Sequence, residues 1–170
     1  LMFPNDDDAF VQQALEVGQS LRVFHRKDER VNPASDFDCT AENGEVTITD
    51  YTGTREHVLI PSEIDGQPVT ALADKAFYEK HVTTVVVPDS VTEIEGNPFK
   101  NCKALRTVEL SPNHPLLTVQ DGMLIDHVHQ RVLRRLTTGA VCIVPEGIKE
   151  IADGAFGRIP DCLLYTSDAA

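Results

Sequence analysis

The sequence predicts a β-rich solenoid: a coil of short strands stacked into a parallel sheet, with a short N-terminal helix. Three observations predict it. Short runs of β-branched and other aliphatic residues recur and stop at proline, as in Val85-Val86-Val87-Pro88. Each run is followed by a second set of apolar positions and then a phenylalanine. The intervals between copies are those of a stacked repeat rather than of a single hairpin.

The phrase "VVVPDSVTEIEGNPF" shows the unit most plainly. Val85, Val86 and Val87 are stiff at χ1 and suit a short buried strand. Pro88 has no N–H to give to a ladder and ends it. Val91 and Ile94 resume the apolar pattern, and Phe99 supplies one bulky filler. The same order appears at Val58, Ile60-Pro61, Val69, Leu72, Ala76 and Phe77. It appears again at Val141, Val144-Pro145, Ile148, Ile151, Ala155 and Phe156. Pro61 and Pro88 are 27 residues apart, and Phe77 and Phe99 are 22 apart. The 57 residues from Pro88 to Pro145 hold two units if one carries an insertion. That interval opens with the expected strand, Val108 to Leu110, and then departs from the pattern.

One such unit cannot bury its own apolar face, whereas stacking buries the valines and isoleucines of neighbours together, at about 1.5–3 kcal/mol per side chain. Three or four rungs are therefore about the minimum for cooperative folding. In this register Phe99→Ala costs about 3–5 kcal/mol, and His129→Ala costs almost nothing.

Composition agrees with an ordinary globular chain: 170 residues, 41% hydrophobic and 25% charged. Aromatics are 6% with no tryptophan, so the core must be mainly aliphatic. The formal charge of −12 disfavours nucleic acid and anionic lipid as partners. The basic runs His25–Arg30 and Arg131–Arg135 read as solvated faces. No apolar run approaches the length of a membrane helix, so no membrane insertion is expected of this sequence. "LMFPNDDDAF" shows no signal-peptide pattern. Cys39, Cys102, Cys142 and Cys162 have wide spacings without CxxC and read as separate buried thiols.

Both ends stand apart from the repeat. In residues 1–38, acids precede Phe10, Val11, Ala14 and Leu15 at helical spacing, with Gly18 as a stop. A helix from about Asp8 to Val17 is expected, as a cap on the first rung or the tail of an upstream domain, followed by the linker "RVNPASDFD". The solenoid is expected over 39–161. The final "CLLYTSDAA", 162–170, is the string that TGT CTC TTA TAC ACA TCT GAC GCT GCC encodes, and it resembles translated sequencing-adapter DNA. It is expected to be a non-native tail.

Chemistry is sparse. "IDHVHQ" could bind a metal through Asp126, His127 and His129, since HxH on a strand puts both imidazoles on one face. The plainer reading is a polar hairpin tip between strands Met123–Ile125 and Val132–Leu136. Cys102 with His114 is a formal thiolate pair, and Glu93 and Glu95 flank Ile94 on a solvent face. No phosphate-loop, dinucleotide, serine-hydrolase or zincin motif occurs. Glycines such as Gly66, Gly96 and Gly147 mark turns. No catalytic, cofactor-binding or metal residues are assigned, no cofactor is expected, and the protein is not expected to be an enzyme.

"IPSEIDGQPVTALADKAF", "VPDSVTEIEGNPFKNCKAL" and "VPEGIKEIADGAF" resemble the BspA-type leucine-rich repeats of bacterial, often host-associated, surface proteins. "GEVTITDYTG", Gly44 to Gly53, looks like that family's opening strand, and Asp121–Leu136 looks like its inserted hairpin. The resemblance covers about Gly44 to Pro160. It implies a right-handed, leucine-rich-repeat-like solenoid with a parallel sheet on one side and irregular turns on the other, in which Asn101 or Cys102 points inward to satisfy turn amides. Pro98 replaces the usual alanine, the strand-ending proline slips to Pro112, and "NC" is missing after Phe156. The function implied is a non-catalytic interaction or adhesion module of a surface or secreted protein, with a protein or glycan ligand. An intracellular scaffold or spacer is the alternative, and a metal-dependent enzyme at Asp126, His127 and His129 is a remote one.

Overall fold

Short strands form wherever the aliphatic runs meet a turn that reverses or stops them. In the computed structural model, which describes residues 30–138, 141–156 and 163–166, three reversals share one chemistry. Strand β1 (Phe37–Glu42) pairs antiparallel with β2 (Glu45–Tyr51) about Asn43-Gly44. After β3 (His57–Leu59), the two-residue β4 (Glu63–Ile64) pairs antiparallel with β5 (Gln67–Leu72) about Asp65-Gly66. Further on, β9 (Leu117–Gln120) meets β10 (Met123–Asp126) about Asp121-Gly122. Both residues of each turn have positive φ, from 53° to 79°, which Asx-Gly pairs adopt readily and which matches the twist of a two-residue hairpin.

The remaining strands stack in parallel. β6 (Thr84–Val86) lies between β3 and β8 (Thr107–Glu109), with Val58, Val85 and Val108 in one register row. β5 lies between β2 and β7 (Glu93–Ile94), with Ile48, Leu72 and Ile94 aligned. The chain thus builds two parallel ladders where the sequence suggested one sheet backed by irregular turns. After each proline stop the residues Val69–Leu72 and Glu93–Ile94 extend again and find the neighbouring rung. Past β8 the ladder is interrupted by the meander β9, β10 and β11 (Arg131–Arg135), which begins at Leu117, ahead of the expected hairpin. Stacking then resumes, β13 (Glu150–Ile151) on β11 and β14 (Leu163–Thr166) on β12 (Val141–Val144). The coil makes about four turns.

β14 falls in the stretch read as adapter-encoded. Parallel pairing is made by backbone groups and accepts many sequences, so this pairing is compatible with that reading and does not derive from it. The helix expected at Asp8–Val17 lies outside the described residues.

Aromatic rings line up behind the ladders. Phe37, Tyr51, Phe77 and Phe99 are buried, with successive centroids 5.5, 5.6 and 5.4 Å apart. Phe77 and Phe99 are fully buried, in the role expected of them. Phe156 is only partly covered and packs in a second cluster with Met123, Ile125, Val132, Cys142 and Val144. The stretch 31–38, expected as linker, is part of the fold. Asn32 is buried: its N–H donates to Leu59 O, its Oδ1 accepts from Leu59 N–H, and its Nδ2 donates to Asp36. A linker-like composition can therefore seal a sheet edge when its polar side chains replace a missing strand.

Asn97 ties rungs together. Its Nδ2 donates to Leu133 O at 2.8 Å and Asp153 O at 2.9 Å, and its Oδ1 accepts from Phe99 N–H. Its own N–H donates to Asp74 Oδ1, and its carbonyl accepts from Lys75 and Lys100. Gly96 beside it has φ +56°, and a Cβ there would collide with the Asp74 carboxylate. The resemblance pointed to Asn101 or Cys102 for the inward polar role. Cys102 does point inward, its Sγ 3.6 Å from Lys80 O, but the amide that joins rungs is Asn97. Asn101 instead takes φ 57° in the turn.

Two readings of charge and sulfur are corrected. Arg134, expected on a solvated face, is buried, and its Nη1 donates to Gly154 O. Its row on β11 is pressed against the next rung, which covers a side chain that would be exposed on an edge. Cys39 and Cys102 are free, but Cys142 is disulfide-bonded, because spacing along a coil does not measure distance across it.

Candidate functional site

The sequence-level metal candidates are used by a turn. Asp126 ends β10 with its carboxylate buried; Oδ1 accepts from the N–H groups of Val128 and His129, and Oδ2 from His129 Nδ1 at 2.8 Å. The chain leaves the strand at His127, so the HxH pair does not share a face. His127 Nε2 donates to His114 O, while the His129 side chain is 67% exposed. Among the described residues, no three His, Cys, Asp or Glu side chains are grouped to hold a metal ion. His129→Ala is expected to change stability by less than about 0.5 kcal/mol. Asp126→Ala, which strands two turn amides, should lose about 2–3 kcal/mol. Urea midpoints of the two variants check the order.

Cys102 and His114 do not bond to each other. Burial pushes the Cys102 thiol up, with Arg134 opposing, so the neutral thiol that donates to Lys80 O is the favoured form. His114 is also buried. Its Nδ1 accepts from the N–H groups of both Leu116 and Leu117 at 3.1 Å, so Nε2 carries the proton that goes to Pro88 O. It pins the start of the meander to the preceding rung. Burial lowers its pKa, with the Pro88 bond opposing. A depressed histidine pKa gives stability that is present above the unfolded value, about 6.5, and lost as pH falls through the folded value. Chemical melts at pH 7.5 and 5 should show that loss. His114→Asn, whose Oδ1 accepts without titrating, should flatten it.

What remains exposed is the outer face of the β3–β6–β8 ladder. Two rows flank the buried valines, His57, Thr84 and Thr107 on one side and Leu59, Val86 and Glu109 on the other. Glu93 and Glu95 are exposed, as expected. Two concavities open to solvent lie elsewhere on the surface. One of about 270 Å³ runs between Asp74, Lys100, Arg131, Glu150 and Asp153, and another of about 350 Å³ lies between Arg55, Glu56, Glu79 and His81. In the first, Lys100 and Asp153 form an ion pair whose hydrogen bond raises the lysine pKa and lowers that of the aspartate. Among the described residues, no helix is long and apolar enough to cross a membrane.

Comparison with known proteins fits this geometry. Residues 69–124 match the family described as BspA type leucine rich repeat region (6 copies). The matched segment runs from β5 to the start of β10, and so includes β6, β7, β8 and the first arm of the insertion, but not β2 or β3. The leucine-rich repeat protein of T. pallidum is similar at 26% identity and TM-score 0.51, over 74% of this chain and 66% of that one. A leucine-rich cell surface protein of Faecalibacterium prausnitzii shares the fold at 22% identity and TM-score 0.51, over 83% of this chain and 44% of that one. The chain thus spans less than two thirds of either protein. No curated protein matches it.

The paired-histidine motif was visible in sequence but its divergence was not, because the two side chains part at a turn one residue past the strand. Asn97 was missed altogether. Its only signal was the "GNPF" order, with Gly96 making room for Asp74 and the asparagine two residues before the core ring.

Proposed function

We propose that this chain is a non-catalytic interaction module of a bacterial, host-associated surface or secreted protein, engaged in adhesion to a protein or glycan. The observation that carries this reading is the in-register outer face of β3, β6 and β8. Its half-exposed rows lie side by side across successive rungs, an extended rigid surface suited to lateral contact rather than enclosure of a small molecule. The repeat match supports the module. The word "surface" in the description of the F. prausnitzii protein supports the setting.

The test is binding of the full chain to arrays of purified extracellular proteins and of glycans, repeated with Thr84→Arg and Val86→Arg, whose side chains interrupt both rows. The expected result is saturable binding to a ligand class, lost in the double variant while its far-UV circular dichroism is unchanged. Binding that survives both substitutions contradicts the assignment of this face.

A further inference from the structure

The two edges of the β3–β6–β8 ladder are treated differently. At the β3 edge Asn32 satisfies both Leu59 N–H and Leu59 C=O. At the β8 edge nothing among the described residues does the same. The hydrogen bonds of earlier rungs show what is left vacant. Glu56 O accepts from Thr84 N–H of the following strand, and Ile60 N–H donates to Val86 O. One rung on, Thr83 O accepts from Thr107 N–H, and Val87 N–H donates to Glu109 O. The next equivalents are Arg106 O and Leu110 N–H, with Val108 N–H and C=O between them. Thr107 and Glu109 point to β6, so Val108 points away. These four groups are an acceptor, a donor, an acceptor and a donor in ladder order. The next stacking strand, β12, begins at Val141, 32 residues after β8 ends at Glu109, and pairs with β14 instead.

Beside this edge lies a groove of about 220 Å³ walled by Val108, Leu110, Pro112, Leu117 and Val119. No β6 residue lines it, so it opens on the unpaired side, and Val119 is 42% exposed. Edge groups of this kind are a template for an added strand.

We propose that the β8 edge takes up an extended peptide from a partner protein as one further parallel strand, with an apolar residue beside Val108 and basic residues flanking it. The parallel direction follows from the vacant groups, which repeat those that β3 and β6 offer to their own followers. The apolar centre follows from the Val58–Val85–Val108 row. The basic flanks follow from exposed Glu109 and a net charge of −12, which also sets a second copy of this chain against itself. This inference rests on backbone geometry and stands apart from the outer-face reading.

The test uses the full chain and a fluorescein-labelled Lys-Thr-Val-Thr-Lys peptide, followed by anisotropy. In the proposed pairing both threonine amides bond to the edge, and the valine amide points away. N-methylation of both threonines should weaken binding by about tenfold or more, and N-methylation of the valine should leave it unchanged. Glu109→Lys should weaken the basic peptide about fivefold and favour Glu-Thr-Val-Thr-Glu. Absence of saturable binding overturns the proposal. So does sensitivity to methylation at valine but not threonine, or equal affinity for the two peptides.

Discussion

Phe99→Ala is expected to lower the unfolding free energy by about 3–5 kcal/mol, a large part of the 5–15 kcal/mol that such a domain commonly has. Phe99 is fully buried and closes the ring column, its centroid 5.4 Å from Phe77 at an interplanar angle of 15°. Truncation removes the transfer term and leaves a cavity between rungs that the backbone cannot close, because Pro98 O holds Phe77 N–H and Asn97 Oδ1 holds Phe99 N–H. The ring pair also predicts non-additivity. With Phe77→Ala already in place, the second truncation should lose less, by about 0.5–1.5 kcal/mol, since the stacking contact is already gone. Equilibrium urea melts of the two single variants and the double variant measure both quantities.

Asn97→Leu is expected to be comparably severe, about 3–5 kcal/mol, although leucine is apolar and of similar size. The reason is what the substitution leaves behind. The carbonyls of Leu133 and Asp153 and the N–H of Phe99 lose their partner together, two of them in fully buried bonds, and each stranded group costs about 1–3 kcal/mol. Asn97→Asp should fall between, keeping the acceptor for Phe99 while losing both donors. Thermal melts of the two variants test this order. A neutral Asn97→Leu would show that rung contacts alone hold the insertion in place.

These two positions show what the sequence could reveal. Phe99 was legible because the repeat states it three times, and a residue type recurring behind a strand-and-proline phrase has few explanations besides a shared core. Val58, Val85 and Val108 were legible for the same reason. The inserted hairpin was legible from alternation and a polar tip, and its observed strands, Met123–Asp126 and Arg131–Arg135, nearly match the expected ones. Asn97 was not legible, because its partners at Leu133 and Asp153 lie 36 and 56 residues away and come near only once the coil is wound. Phe37 and Tyr51 escaped for a related reason: they belong to the hairpin that covers the first rung, which has no copy elsewhere. Buried Arg134 and the disulfide at Cys142 likewise depend on which turns touch.

The candidate surface was legible only as a class. Repetition announces rows of side chains, but which row faces outward depends on strand pairing. The vacant edge at β8 depends on where an insertion interrupts that pairing. Sequence suggested an insertion but did not say which of the two flanking strands would be left open.

The most direct test of this account is residue-resolved amide hydrogen exchange of the intact chain at neutral pH. Rungs paired as described predict slow exchange at Thr84, Val85 and Val86, which have neighbours on both sides. Within β8 they predict alternation, with Thr107 and Glu109 slow and Val108 and Leu110 fast. Uniform protection across Thr107 to Leu110 would mean that another strand covers the edge, and uniform fast exchange in Thr84–Val86 would contradict the stacked ladder itself.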